Sequence, residues 1–139
     1  MLAPDAVRAL IGRFYNDMWN GWSAATAREI LTEDIDFRGS IGQHVCGHDG
    51  FLGYMETIRT AFPDFHNRID DIVVEGERVV ARLNYSGTHQ GPLLGHPASG
   101  KQIEYAGVAM FTLRGEQICK VWVLGDLWSL MRQVGAIEA

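Results

Sequence analysis

The chain is poor in cysteine, proline and positive charge, and no long apolar run interrupts it. Its two cysteines, Cys46 and Cys119, stand far apart among 139 residues, which excludes a disulfide framework and leaves both as expected free thiols. Twelve Lys and Arg face 17 Asp and Glu, for a formal net charge of −5. The basic residues are scattered, whereas a phosphate backbone calls for a basic stripe, so no nucleic-acid partner is expected. No stretch approaches the roughly 20 apolar residues of a membrane span. Met1-Leu2-Ala3-Pro4-Asp5 also lacks the basic segment and apolar core of a secretion signal, and a cytoplasmic location without membrane contact is the expectation. A Gly-rich dinucleotide fingerprint, a phosphate loop and a Ser nucleophile elbow are missing too, which leaves nucleotide-dependent and acyl-enzyme chemistry without support.

What is present suits one domain over residues 1–139: 47% of the residues are apolar and 10% aromatic, enough for a substantial core. There is no internal repeat, low-complexity segment or linker. Pro4 suits a first helical turn, and Val7, Leu10, Ile11, Phe14, Tyr15, Met18 and Trp19 recur at helical spacing as far as Asn20-Gly21. Ser23 is an expected N-cap for a short helix to Leu31, Ile35 to Arg38 reads as a brief strand, and glycines at 39, 42 and 47 mark an irregular connection. A third helix fits Gly50 to Ala61, closed by Pro63.

From Phe65 onward the period changes to two. Ile69 to Val74 and Val79 to Tyr85 flank a hairpin turn at Gly76-Glu77, and Ile103 to Leu113 and Gln117 to Leu124 flank another at Gly115-Glu116. Regular pairing through these turns sets Arg68 opposite Tyr85 and puts His66, Tyr85 and His89 on the apolar face. In the second hairpin it puts Tyr105, Gly107, Ala109 and Phe111 on the same side as Trp122 and Asp126, with Val108, Met110, Cys119, Val121 and Val123 on the other. Both faces are apolar, so one is expected to meet helices and the other a second subunit, giving a homodimer. Small residues at 107 and 109 leave room either for a ligand or for a bulky helix residue such as Phe14 or Trp19. Helices gathered before antiparallel strands define an α+β class.

Asp126 is the residue of greatest chemical interest. It closes a strand and precedes an apolar run, Leu127 to Met131, that reads as a terminal helix. Desolvation among Trp122, Leu124, Leu127 and Trp128 would disfavour its charge and suit it to proton transfer; the alternative is a cap on the last helix.

The ordered set Trp19-Asn20, Phe62-Pro63-Asp64-Phe65, Gly87-Thr88-His89-Gln90-Gly91, Ser99-Gly100-Lys101, Trp122 and Asp126 resembles the SnoaL-like polyketide cyclase family of the nuclear transport factor 2-like superfamily. The resemblance spans nearly the whole chain. It implies a cone-like α+β barrel, a curved antiparallel sheet wrapped around the N-terminal helices, with an apolar pocket between them. It also implies intramolecular aldol ring closure without metal or cofactor, with the residue matched by Asp126 as general acid/base. One departure is that a histidine-containing segment often follows the first strand in the family, whereas this chain reads Phe37-Arg38-Gly39-Ser40 there.

On this reading Asp126 and His89 are the catalytic candidates, with His89 orienting Asp126 or donating to an oxyanion. Tyr15, Trp19, Tyr54, Tyr105 and Trp122 are expected to hold a small apolar, carbonyl-containing substrate. His66 lines the same face or braces its loop, and Arg38 holds an oxygen of the substrate or serves a surface ion pair. His44-Val45-Cys46-Gly47-His48 groups three possible ligands, but not at a recognised zinc spacing, so no metal is expected. Rival readings are a non-catalytic small-molecule binding domain, and an epoxide hydrolase or dehydratase on the same scaffold.

Overall fold

A computed structural model describes residues 1–137. Helix α1 begins at Pro4–Gly12 and continues without a break as a π-helical stretch, Arg13–Trp19. Helix α2 (Ala24–Ile30) starts where the Ser23 hydroxyl accepts the Thr26 N–H at 3.1 Å, as the sequence predicts. Then come β1 (Leu31–Arg38), a short β2 (His44–Cys46) inside the expected irregular connection, and α3 (Gly47–Ala61). Strands β3 (His66–Glu75), β4 (Arg78–Thr88), β5 (Gln102–Arg114) and β6 (Gln117–Gly125) follow, and α4 (Leu127–Gln133) ends the described fold. No helix among the described residues is long and apolar enough to cross a membrane.

The α+β class and the family's curved sheet around helices are found as expected, with one refinement. The strands lie in the order β2-β1-β6-β5-β4-β3 in a sheet that does not close, and β1 runs parallel to β6 while every other pair is antiparallel. One face carries the helices and the core. Phe14 sits edge-on to Phe111 at 5.1 Å, so the later part of β5 is covered by a helix ring. The space over Gly107 is taken by a neighbouring strand instead: a Cβ there would overlap the Tyr85 ring.

Two bulges decide which side chains point inward. In β3 the pairing follows the expected register from Glu75 to Asp71 and then slips, so that Ile69 faces Leu83 and Asn67, not Arg68, faces Tyr85. In the last hairpin Leu113 faces Ile118 but Thr112 faces Lys120, leaving Cys119 as the extra residue. A one-residue slip exchanges the two faces of a strand. Val121 and Val123 are therefore buried, and Trp122 is 40% exposed on the outer face beside Met110. This corrects the expectation that Trp122 and Asp126 share the inner face with Tyr105, and that Val121 and Val123 lie outside.

Candidate functional site

The helices and the sheet leave a cavity between them. Phe14, Tyr15 and Trp19 reach it from α1, Tyr54 and Ile58 from α3, and Phe37 and Ser40 from β1 and the turn beyond. Phe65, Asn67, Tyr85 and Val123 complete the wall. The cavity holds only about 20 Å³, close to the minimum for a single water. A ligand of more than a few atoms therefore enters by turning side chains aside.

The π-helical stretch explains why so many aromatics converge. Asn20 N–H donates to Tyr15 O at 2.8 Å, a bond one residue longer than in an α-helix, and the wider turn lets the adjacent pairs Phe14-Tyr15 and Met18-Trp19 all be buried. Asn20 then fastens the helix end to β3: its Oδ1 accepts Asn67 N–H at 2.7 Å and its Nδ2 donates to Asn67 O at 3.0 Å. Asn67 is thereby held at the cavity wall.

The polar groups of this region are phenols, Ser40 and the Asn67 amide. The hydroxyls of Ser40 and Tyr105 share a buried hydrogen bond of 3.0 Å. Burial pushes Tyr54 up to about 12, with the Ser40 hydroxyl and the backbone of Ile41 and Ser40 partly opposing it. Burial also raises Tyr105, against the Ser40 hydrogen bond, and raises Tyr15 and Tyr85 well above the ordinary phenol value. All four tyrosines are thus neutral hydrogen-bond donors at neutral pH, suited to meet a developing oxyanion and unsuited to remove a proton.

Of the residues expected at the site, Tyr15, Trp19 and Tyr54 line the cavity, and Tyr105 adjoins it through Ser40. His66 is exposed, because the bulge near Asp70 gives its inward place to Asn67. Arg38 lies on the outer side: its guanidinium donates to Val123 O and sits 5.2 Å from the centre of the Trp122 ring. His89 is fully buried but apart from the cavity, since Phe62 at the end of α3 packs against its ring. Its Nδ1 accepts the Ser99 N–H at 3.1 Å, which fixes the segment between β4 and β5 and leaves the proton on Nε2, a buried atom without a partner among the described residues. Burial, opposed by the Gly91 backbone, lowers its pKa. The expected orienting contact between His89 and Asp126 is not formed.

Asp126 caps α4, its Oδ1 accepting Ser129 N–H at 3.1 Å. It is solvent-exposed, so the expected desolvation among tryptophans does not occur. Its neighbour Gly125 lies against the polar pair, where a Cβ would sit 3.1 Å from both Ser40 Cβ and Tyr105 Cε2. Sequence reasoning missed Ser40 and Asn67. Ser40 sits in an irregular turn that no periodicity marks, and Asn67 was hidden by the bulge.

Residues 9–134 match the family model described as SnoaL-like polyketide cyclase. Comparison with curated proteins returns no match. Among solved structures, the chain is similar to TsrD from Streptomyces laurentii, at 27% identity and a TM-score of 0.87 over 99% of this chain and 100% of that one. A SnoaL-like protein from Jannaschia sp. CCS1 is 25% identical, with a TM-score of 0.88 over 99% and 98% of the two chains. IdmH from Streptomyces antibioticus, itself proposed to be a polyketide cyclase, is 27% identical with a TM-score of 0.78, covering 92% of this chain and 97% of its own.

Proposed function

The chain belongs to the SnoaL-like polyketide cyclase family, and from that premise we propose that it is a cofactor-independent enzyme that moves a proton next to a carbonyl of a small, largely apolar substrate. The observation that carries this reading is the buried Ser40–Tyr105 pair beside an aromatic cavity of neutral phenols. The substrate carbonyl meets these hydroxyls, and Asp126, exposed at the start of α4 and not itself a cavity residue, turns past the Gly125 backbone that packs on them to remove a proton from the adjacent carbon. The electron pair passes to the carbonyl oxygen as an enolate. The enolate carbon attacks a second carbonyl of the same molecule, and the resulting alkoxide recovers the proton from Asp126, closing a ring with no atom gained or lost. Return of the proton to another carbon gives isomerisation instead. A cytoplasmic homodimer joined by the outer sheet face belongs to the same proposal; Val108, Met110, Trp122 and Leu124 lie partly exposed there.

A second reading, a non-catalytic binding domain, is favoured by one observation: among the described residues, none that lines the cavity is a carboxylate, imidazole or amine. Asp126→Asn separates the two. Asn caps a helix about as well as Asp, so the fold and ligand affinity persist, while loss of a general base lowers turnover of a cyclisable polyketone by at least about a hundredfold. Unchanged turnover removes Asp126 from the chemistry; absence of turnover in the wild-type chain, with ligand still bound, establishes the binding reading.

A further inference from the structure

The structure brings together a second cluster, away from the cavity, that the sequence spacing did not reveal. Strands β1 and β2 pair antiparallel, with Asp36 opposite Cys46 and Arg38 opposite His44. His44 and Cys46 are two residues apart on one strand and so point to the same side. Asp36 and His44 are in direct contact through Oδ1 and Nε2. One ligand atom from each of Asp36, His44 and Cys46 lies within 4.8 Å of the other two. His48, the third ligand-type residue of the sequence run, is directed elsewhere, its ring nitrogen 2.9 Å from Leu31 O. Lys120 stands in register with Asp36 on the other flank but forms no ion pair with it among the described residues.

We propose that Asp36, His44 and Cys46 form a binding site for a zinc-type divalent ion, with a water in the fourth position. Ligands about 2.0–2.3 Å from a tetrahedral ion stand roughly 3.3–3.8 Å from one another, so small rotations of the exposed His44 and Cys46 side chains close the set. The mixture of carboxylate oxygen, imidazole nitrogen and thiolate sulfur selects zinc or cobalt and disfavours magnesium and calcium, which take oxygen ligands alone. Asp36 and a Cys46 thiolate together neutralise the ion's two charges. The ion clips the ends of the 36–46 segment, and Ser40, the partner of Tyr105, sits inside that loop. Metal binding thus fixes the turn that brings the Ser40 hydroxyl to the cavity.

The test is cobalt titration of untagged, chelator-treated protein, followed by displacement with zinc in a calorimeter. The expected result is one ion per chain, with a thiolate-to-cobalt charge-transfer band and a melting temperature raised by zinc. His44→Ala and Cys46→Ser are each expected to weaken binding by more than the 10–100-fold, roughly, that loss of a mere outer partner costs; Asp36→Asn weakens it too. Cys119→Ser, which alters the other free thiol, keeps the band. Absence of the band at saturating cobalt in the wild-type chain overturns the proposal, as does a band that survives Cys46→Ser and disappears in Cys119→Ser. The variants alter exposed side chains, and the wild-type spectrum alone is decisive if any of them fails to fold.

Discussion

Ser40 and Tyr105 meet in a buried hydrogen bond of 3.0 Å that joins the turn after β1 to the first part of β5. Ser40→Ala leaves the Tyr105 hydroxyl buried without this partner, and the expected loss of stability is about 1–3 kcal/mol. Replacing both partners, as Ser40→Ala with Tyr105→Phe, removes the orphaned group and recovers some of that loss. Urea denaturation of the two single variants and the double variant measures the coupling; additive losses would show that the bond contributes nothing of its own.

The outer face carries a continuous row across the sheet. Val80, Met110 and Trp122 lie in register, and Arg38 continues the row with its guanidinium over the Trp122 ring. A charge at the centre of this row should drive a pair of such faces apart while leaving the core intact. Trp122→Glu is therefore expected to halve the mass seen by light scattering at micromolar concentration with a small change in melting temperature. A wild-type chain that is already monomeric there, or a variant that remains dimeric, rules out this face as the interface.

His89 makes stability depend on pH. Its folded pKa is lowered from 6.5 by burial, so below that ordinary value the unfolded chain takes up a proton that the folded chain refuses. Stability is fully present above about 6.5 and falls as pH drops toward the lowered folded value. The carboxylates of Asp34 and Asp70, held low by hydrogen bonds from Arg114 and Arg68, lose their contribution in a separate, more acidic window. Urea midpoints at about pH 7.5 and about pH 5 should differ in the wild-type chain and differ less in His89→Gln. An equal difference in both would assign the slope to other groups.

The local elements were legible in the sequence because each rests on short-range chemistry: Pro4 at a helix start, Ser23 as a cap, and glycines at 76 and 115, whose positive φ suits tight turns. The family, and with it the curved sheet around helices, was legible from the ordered motifs. The sidedness of the site was not. Period two is reliable only between bulges, and neither Asp70 nor Cys119 differs in type from its neighbours in a way that announces one. His66 and Trp122 were drawn inward by a count that is off by one, and Asn67 and Val123 hold those places. His89 lies on the inward parity, but whether Phe62 would cover it depends on where α3 ends relative to β4, a long-range matter.

The wide turn at Arg13–Trp19 makes chain length itself a determinant of the cavity wall. Deleting one residue there would let the helix relax to ordinary α geometry with both flanks keeping nearly their present faces, because the i→i−5 turn is what absorbs the extra residue. Val7, Leu10 and Ile11 would stay buried and Asn20 tied to Asn67, but the adjacent pairs Phe14-Tyr15 and Met18-Trp19 would no longer all face the core. The segment therefore tolerates substitutions on its exposed side, such as at Asn16 or Asp17, far better than any change in the number of residues.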